Sequence, residues 1–451
     1  MTDARETAFT VLSRIERDSA YANLVLADIF KNENNCSDVK FSYALVKGTL
    51  ERLITLDYNL SLYLTKPLKK LKPQVLTVLR LGAYQILFMD KVPVSAAVNE
   101  SVKLVKKHGC AFASGLVNAV LRKTALSGTV LPDEKDLILY LSVKYSFPEY
   151  ICKMFADKYG ADTAEKIMES SLGSQTLYAR YNTLKNGIIS SEIKRSDVCE
   201  NALIIPNSAV NSDNPDIKNG LIHVQDLSSQ LCCKALDVMP GQTVIDVCAA
   251  PGGKSVTLAE MMKNEGHIIS CDIYEHKLSL IKQNAQRSGV DIIETRLRNA
   301  SDENSELPLA DRILCDVPCS GLGVTGKKPE IKYKSKEDID SLYEIQYSIL
   351  VNSANYLKKG GRLVYSTCTL NPEENIEICR KFAKIHSDFI FCDILNDIEC
   401  FREDKTVTVL PYIYNCDGFF IACFERTYII IMEKKDILSL TYEELQSEIE
   451  A

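Results

Sequence analysis

Two cysteines stand where an α/β sheet would present its ligand-binding loops: Cys319 in DVPCSGLG and Cys368 in STCTLNPEEN, each following an apolar run that reads as a strand. Ligands of such sheets bind at the carboxyl ends of the strands, so both thiols are expected to face one cleft. A buried structural thiol is the plain alternative, and it suits Cys152, Cys232, Cys233 and Cys423, which lie among apolar neighbours. It suits a pair of strand tips poorly. The chemistry that needs such thiols is methylation of a pyrimidine at C5. That carbon becomes nucleophilic only after a thiolate adds to C6 and makes an enamine, which can attack a methyl sulfonium. The C5 proton must then leave and the thiol be eliminated, so one cysteine attacks and a second group helps release. A thiol of pKa about 8.5 is only slightly ionised at neutral pH, so the site must lower that value or pass the proton on. Asp316, at the tip of the same strand as Cys319, suits the second of these roles, since an acid bonded to N3 or N4 of a cytosine stabilises the charge that attack puts on the ring. Its plain reading is a strand-end cap.

The loop CAAPGGKS, residues 248–255, follows the strand TVIDV. A phosphate-binding loop needs GxxxxGK[ST], and the first glycine falls on Cys248, so the match fails by one residue. RILCD could still serve as a Walker-B strand, which keeps an NTPase open; GxGxxG is absent. What remains is a turn at Gly252 and Gly253 that lets backbone approach a ligand, with Asp246 closing one strand and Asp272 the next. Asp272 is placed to accept both ribose hydroxyls of an adenosine cofactor. On this basis alone NAD, ATP and S-adenosylmethionine are not separated. Lys254 opens a helix beside the pocket, where it could fix the loop or shape the electrostatics of a cysteine.

The elements that must position these loops begin at about residue 236, where strand and helix alternate: TVIDV, HIISCDI, IIETRL, RILCDV and GRLVYST, with a long helix through DIDSLYEIQYSILVNSANYL. This predicts a doubly wound parallel sheet, closed by an antiparallel edge from TVTVL and GFFIACFE. Residues 1–130 read as a helical bundle, with Leu76, Leu79, Ala83, Ile86 and Leu87, then Val98, Val102 and Val105, at helical spacing. Residues 131–235 read as a small α+β subdomain in which TLYARYNTLK and NALIIPNSA are strands separated by helices such as YICKMFADKYG. The catalytic part is expected over 236–425, and an atypical tail over 426–451.

Of 451 residues, 46% are hydrophobic and 25% charged, which describes a globular chain of two or three domains. The net charge is -7, yet residues 1–130 carry 18 Lys and Arg against 11 Asp and Glu, including KPLKKLKP and VKLVKKHG. The helical part could therefore track a phosphate backbone while the rest repels one. The 16 cysteines form no CxxC pair and the 5 histidines are scattered, which argues against a zinc site and a disulfide framework. No apolar run is long enough to span a bilayer, and MTDARETAFT lacks the character of a signal peptide; a cytoplasmic protein with no membrane partner is expected.

Four segments, VQDLSSQL, DVCAAPGGK, DRILCDVPCSGLG and LVYSTCTLNPEEN, resemble bacterial RNA cytosine-C5 methyltransferases of the RsmB/Sun type, which act on 16S ribosomal RNA. RLGAYQILFMDKVPVSAAVNESVKL and GLVNAVLRK are similar to the NusB-type RNA-binding module of that family. The resemblance covers about residues 4–425. It implies a NusB-like bundle joined to a Rossmann-like, S-adenosylmethionine-dependent domain, with Cys368 as nucleophile and Cys319 assisting release. It further implies that Cys248, Ala249, Ala250, Pro251, Gly252, Gly253 and Lys254, with Asp272 and Asp316, line the S-adenosylmethionine site. Where the family carries an acid near the adenine, LRNAS offers Asn299, whose amide can still bond the adenine amino group with weaker binding expected. The partner is expected to be 16S ribosomal RNA, with transfer RNA open as a target, and the chain to act as a monomer without metal. From Met432 the tail resembles the opening of a radical-S-adenosylmethionine RNA adenine methyltransferase, so a misjoined frame and a genuine amphipathic helix stand as alternatives. A non-enzymatic RNA-binding factor is the third functional reading beside methyltransferase and NTPase.

Overall fold

A computed structural model describes residues 4–18, 22–30, 36–206, 214–302 and 306–427, so apart from Arg426 and Thr427 the expected tail lies outside the described residues. The predicted helical spacing forms helices Pro73–Phe88 and Val94–Lys107. Proline at the first position costs the former no hydrogen bond, and Lys106 and Lys107 complement the dipole at the end of the latter. With Ala4–Asp18, Cys36–Glu51, Leu53–Ser61 and Ser114–Ser127 they enclose Val11, Leu45, Leu56, Leu79, Val117 and Leu121. Each of these side chains is wholly inaccessible, a burial that stabilises by roughly 1.5–3 kcal/mol per side chain.

The middle segment departs from its expected order. Helices Leu137–Tyr145, Glu149–Tyr159 and Ala161–Ser170 all precede a four-stranded antiparallel sheet of β1 (Tyr178–Tyr181), β2 (Lys194–Arg195), β3 (Ala202–Ile204) and β4 (Ile222–Val224), in the order β2-β3-β1-β4. No helix stands between the two strands read from the sequence. The reason lies in packing. Ile151, Phe155 and Met168 join Leu322, Ile331 and Leu370 of loops far downstream, whereas Ala179, Leu203 and Ile222 form a separate small core.

The C-terminal part is built on β5 (Thr243–Asp246), β6 (His267–Asp272), β7 (Ile293–Leu297), β8 (Ala310–Asp316), β9 (Leu357–Thr367), β10 (Phe389–Phe391), β11 (Phe401–Glu403), β12 (Thr406–Val409) and β13 (Phe419–Arg426). The order is β11-β12-β13-β9-β8-β5-β6-β7, with β10 beside β13. Strands β5 to β9 run parallel, and β13 runs antiparallel to β9. Alternate residues serve opposite faces: Val244, Ile268, Leu314 and Val364 meet helices Leu227–Leu236 and Gly253–Met261, while Ile245, Ile269, Ile313 and Leu363 meet helices Leu342–Ala354 and Ile376–Ile385. Both faces are thus covered, as a parallel sheet requires.

Two details differ from expectation. β12 and β13 form the expected antiparallel edge, but short β10 and β11 extend it; three residues carry too little periodicity to be read beforehand. The long helix is interrupted at Ser341, giving Lys336–Asp340 and Leu342–Ala354. Between the bundle and the sheet sits the 3-10 turn Pro329–Tyr333. Its Tyr333 hydroxyl donates to the Leu50 carbonyl at 2.7 Å, and Lys332, wholly buried, donates to the Tyr145 carbonyl at 3.3 Å and lies 4.2 Å from the Phe147 ring centroid. Burial pulls that ammonium down to about 7.

Candidate active site

In the parallel pair β8 and β9, Asp316 is in register with Ser366, so the next residues of both strands leave the sheet side by side. Cys319 follows three residues later and Cys368 two, which brings their Sγ atoms to 3.2 Å; both are partly buried and neither is in a disulfide. The loops are stitched together: Gly323 N–H donates to the Cys368 carbonyl at 3.0 Å, and Gly418 N–H to the Gly323 carbonyl at 2.8 Å. Glycine is required at 323 because a Cβ there would collide with the Gly418 carbonyl. The hydrogen bond with Cys368, and then burial, hold the Cys319 thiol well above the ordinary cysteine range.

Asp316 accepts the Lys254 ammonium on Oδ2 at 2.6 Å and the Ser366 hydroxyl on Oδ1 at 2.9 Å. Burial lowers Lys254, but the Asp316 charge more than reverses this and leaves the pKa above the usual lysine value. Lys254, which an NTPase would aim at phosphates, is therefore committed to a carboxylate at the tip of β8.

The order of strands reverses between β5 and β8, and the loop after β5 lies at that switch point. Ala249 N–H donates to the Cys271 carbonyl at 2.8 Å, and Gly252 N–H closes a turn on Ala249 at 2.7 Å with φ +102, a conformation natural to glycine. Ala250 and Pro251 lie in that turn, joined by a cis peptide, and Asn284 Nδ2 donates to the Pro251 carbonyl at 2.7 Å. Cys248 is a packing residue on the Ile245 face, its thiol raised by burial and by neighbouring Cys315. Asp272 is 7% exposed, and its Oδ1 takes Tyr274 N–H at 3.0 Å and lies 3.8 Å from Lys277 Nζ. Asn299 spends its carbonyl on Ser301, N–H at 3.2 Å and hydroxyl at 2.8 Å, so only its NH2 remains for a ligand. The Asn299 amide thus caps its own turn.

Sequence reasoning missed three residues here. Gln225, in VQDLSSQL, is buried with Nε2 unpartnered, 3.8 Å from where a Gly253 side chain would begin. An orphaned donor beside a glycine turn and the N-terminus of helix Gly253–Met261 suits a carboxylate-bearing ligand. Ser366 fixes Asp316, and Glu374 joins the two cysteine loops. Glu374 lies within the PEEN that the resemblance singled out, but nothing in its type announces burial.

A cavity of about 670 Å³ reaches from Cys319 to the helical bundle, walled by Leu12, Leu50 and Arg80 on one side and Tyr333 and Lys334 on the other. On the bundle surface Lys66, Lys69, Lys70 and Lys72 are exposed, and Lys72 Nζ lies 5.1 Å from the ring of Phe112, which is 72% exposed. Among the described residues no cluster of His, Cys, Asp and Glu is arranged to hold a metal ion, and no helix is long and apolar enough to cross a membrane.

A Rossmann-like sheet with a glycine turn at its switch point, joined to a helical bundle, is the architecture of a methyltransferase carrying a NusB-type domain. Comparison gives the same answer: the 16S rRNA methyltransferase RsmB/F model matches residues 233–425 and the NusB family model residues 2–125. The probable ribosomal RNA small subunit methyltransferase B of Bacillus subtilis strain 168 is 37% identical over 94% of this chain and 99% of its own. Its counterpart in Synechocystis sp. strain PCC 6803 is 31% identical over 94% and 100%. The crystal structure of PH0851 superposes with a TM-score of 0.78 at 24% identity, covering 94% of this chain and 99% of that one, which shows a shared fold. The chain belongs to the RsmB family of 16S ribosomal RNA methyltransferases.

Proposed function

We propose that this chain, working in the cytoplasm as a monomer, transfers a methyl group from S-adenosyl-L-methionine to C5 of a cytosine in 16S ribosomal RNA through a covalent adduct between Cys368 and C6. The observation that carries the reading is the 3.2 Å approach of Cys319 and Cys368 beside a fixed Asp316. One chain supplies both thiols, the carboxylate and the cofactor turn, so no second subunit is needed.

Bound S-adenosylmethionine supplies an electrophilic methyl on a sulfonium. The turn from Cys248 to Gly253, the Lys254 helix N-terminus and Gln225 suit its amino-acid end, and Asp272 its ribose; Asn299 offers an NH2 group near the base. Cys368 adds as thiolate, forming the C6–S bond while the C5=C6 π bond breaks and its pair moves onto C5 and the conjugated ring. Asp316 accepts from the cytosine N4 amino group, and the adjacent Lys254 ammonium offsets the charge the ring acquires. C5 then takes the methyl group. Its proton leaves to water, the freed pair restores the C5=C6 bond, and the C6–S pair returns to Cys368. Cys319, still a thiol, donates its S–H to the departing sulfur.

RNA binding is supported by the exposed lysines of the bundle, and access by the cavity that ends at Cys319. The test is incubation with methyl-labelled S-adenosylmethionine and, separately, 16S transcript, small ribosomal subunits and transfer RNA, followed by mapping of 5-methylcytosine. Label confined to ribosomal RNA cytosine C5 is expected. Binding of ATP in preference to S-adenosylmethionine, or label on another atom, overturns the reading.

A further inference from the structure

Glu374 is wholly buried, yet it is a carboxylate with four hydrogen-bond donors around it. Oε1 takes the Ser320 N–H at 2.7 Å and Gln346 Nε2 at 2.9 Å; Oε2 takes the Ser320 hydroxyl at 2.5 Å and Asn371 Nδ2 at 3.1 Å. Three of these partners can only donate, so Glu374 is the acceptor that gathers them. The Ser320 hydroxyl, spending its proton on Glu374, must accept from the Thr369 hydroxyl 2.7 Å away. Ser320 and Thr369 are the residues directly after Cys319 and Cys368. A single relay, Thr369 to Ser320 to Glu374, therefore binds the two cysteine dipeptides together.

Asp316 pairs with Lys254 at 2.6 Å, and Lys334 Nζ donates to the Ser320 carbonyl at 2.9 Å. The Cys319 thiol is held up first by its hydrogen bond with Cys368 and by burial, with Glu374 and Asp316 acting in the same direction. We propose that Glu374 is a positioning residue for the thiol pair: through Ser320 and Thr369 it holds Cys319 against Cys368, so that the two sulfurs meet a reagent in unequal settings. The proposal rests on the cytosine reading only for its catalytic consequence.

The first arm of the test needs neither RNA nor cofactor. Folded full-length protein is alkylated with iodoacetamide between about pH 6 and 10, across the ordinary thiol range, and Cys319 and Cys368 are quantified separately by peptide mass spectrometry. In the wild type Cys368 is expected to be alkylated faster than Cys319 at each pH. In Glu374→Gln the ratio of the two rates should shrink roughly tenfold, as the cysteine dipeptides lose their common anchor. Cys319 reacting first in the wild type, or an unchanged ratio of rates in a folded Glu374→Gln, overturns the proposal. Should Glu374→Gln not fold, Thr369→Val and Thr369→Ser leave all four donors to Glu374 in place. Valine should lower kcat for methyl transfer without changing KM for RNA, and serine should restore it; wild-type kcat in the valine variant would sink the relay. Alkylation asymmetry with no cytosine methylation would instead count against the functional reading alone.

Discussion

Lys254 and Asp316 form an ion pair of 2.6 Å between the helix that follows the cofactor turn and the strand tip that precedes Cys319. The two loops of the cleft are thus locked by one charge pair, with Ser366 as its third member. Lys254→Met should leave Asp316 without its counter-charge and lower methyl transfer by about 10²- to 10³-fold, the loss typical of one well-placed electrostatic group. Ser366→Ala, which keeps the ion pair, should cost about tenfold. Single-turnover rates at saturating cofactor measure both; unchanged rates in Lys254→Met would remove the pair from the chemistry.

The two thiols are distinguishable by what their loss leaves behind. Cys368→Ala should abolish methyl transfer. Cys319→Ala should allow attack but slow elimination, so a protein and RNA adduct should persist on a denaturing gel. Normal release by Cys319→Ala, or methylation by Cys368→Ala, reverses or cancels the assigned roles.

Asp246, 1% exposed at the end of β5, is pushed up to about 7 by burial, against about 3.9 in an unfolded chain. The folded state therefore holds a proton that the unfolded state has lost across that interval. Its contribution to stability is complete below about pH 4, falls as pH rises to about 7, and is level beyond, a span on the order of 4 kcal/mol. Asp246→Asn should flatten this slope. Urea unfolding at pH 5 and pH 8 reads it, and an equal slope in wild type and variant would deny that Asp246 carries it.

Lys69 and Lys70 are exposed on a turn next to the Lys72 and Phe112 pair. The double variant Lys69→Glu and Lys70→Glu should weaken RNA binding at low salt and reduce the slope of log affinity against log salt by about 0.7 per lost phosphate contact. Fluorescence anisotropy at several salt concentrations measures this. An unaltered slope would place the RNA elsewhere on the bundle.

Residue types and local spacing were enough to mark the bundle helices, the parallel strands β5 to β9 and the loops carrying Cys248, Asp272, Asp316, Cys319 and Cys368, because period and turn chemistry are properties of neighbours in the chain. The order of the middle segment was not legible, since its helices pack against Leu322 and Leu370, far downstream in the chain, and leave the small sheet to itself. Nor could spacing show that Asn299 caps its own turn, that β10 and β11 extend the antiparallel edge, or that Gln225 is left with an unpaired donor. The sulfur separation and the burial of Glu374 were likewise decided only when β8 and β9 paired in register. Sequence determines which groups reach the end of each strand; distance, burial and proton ownership depend on which strand lies alongside, and that is settled by contacts between residues far apart in the chain.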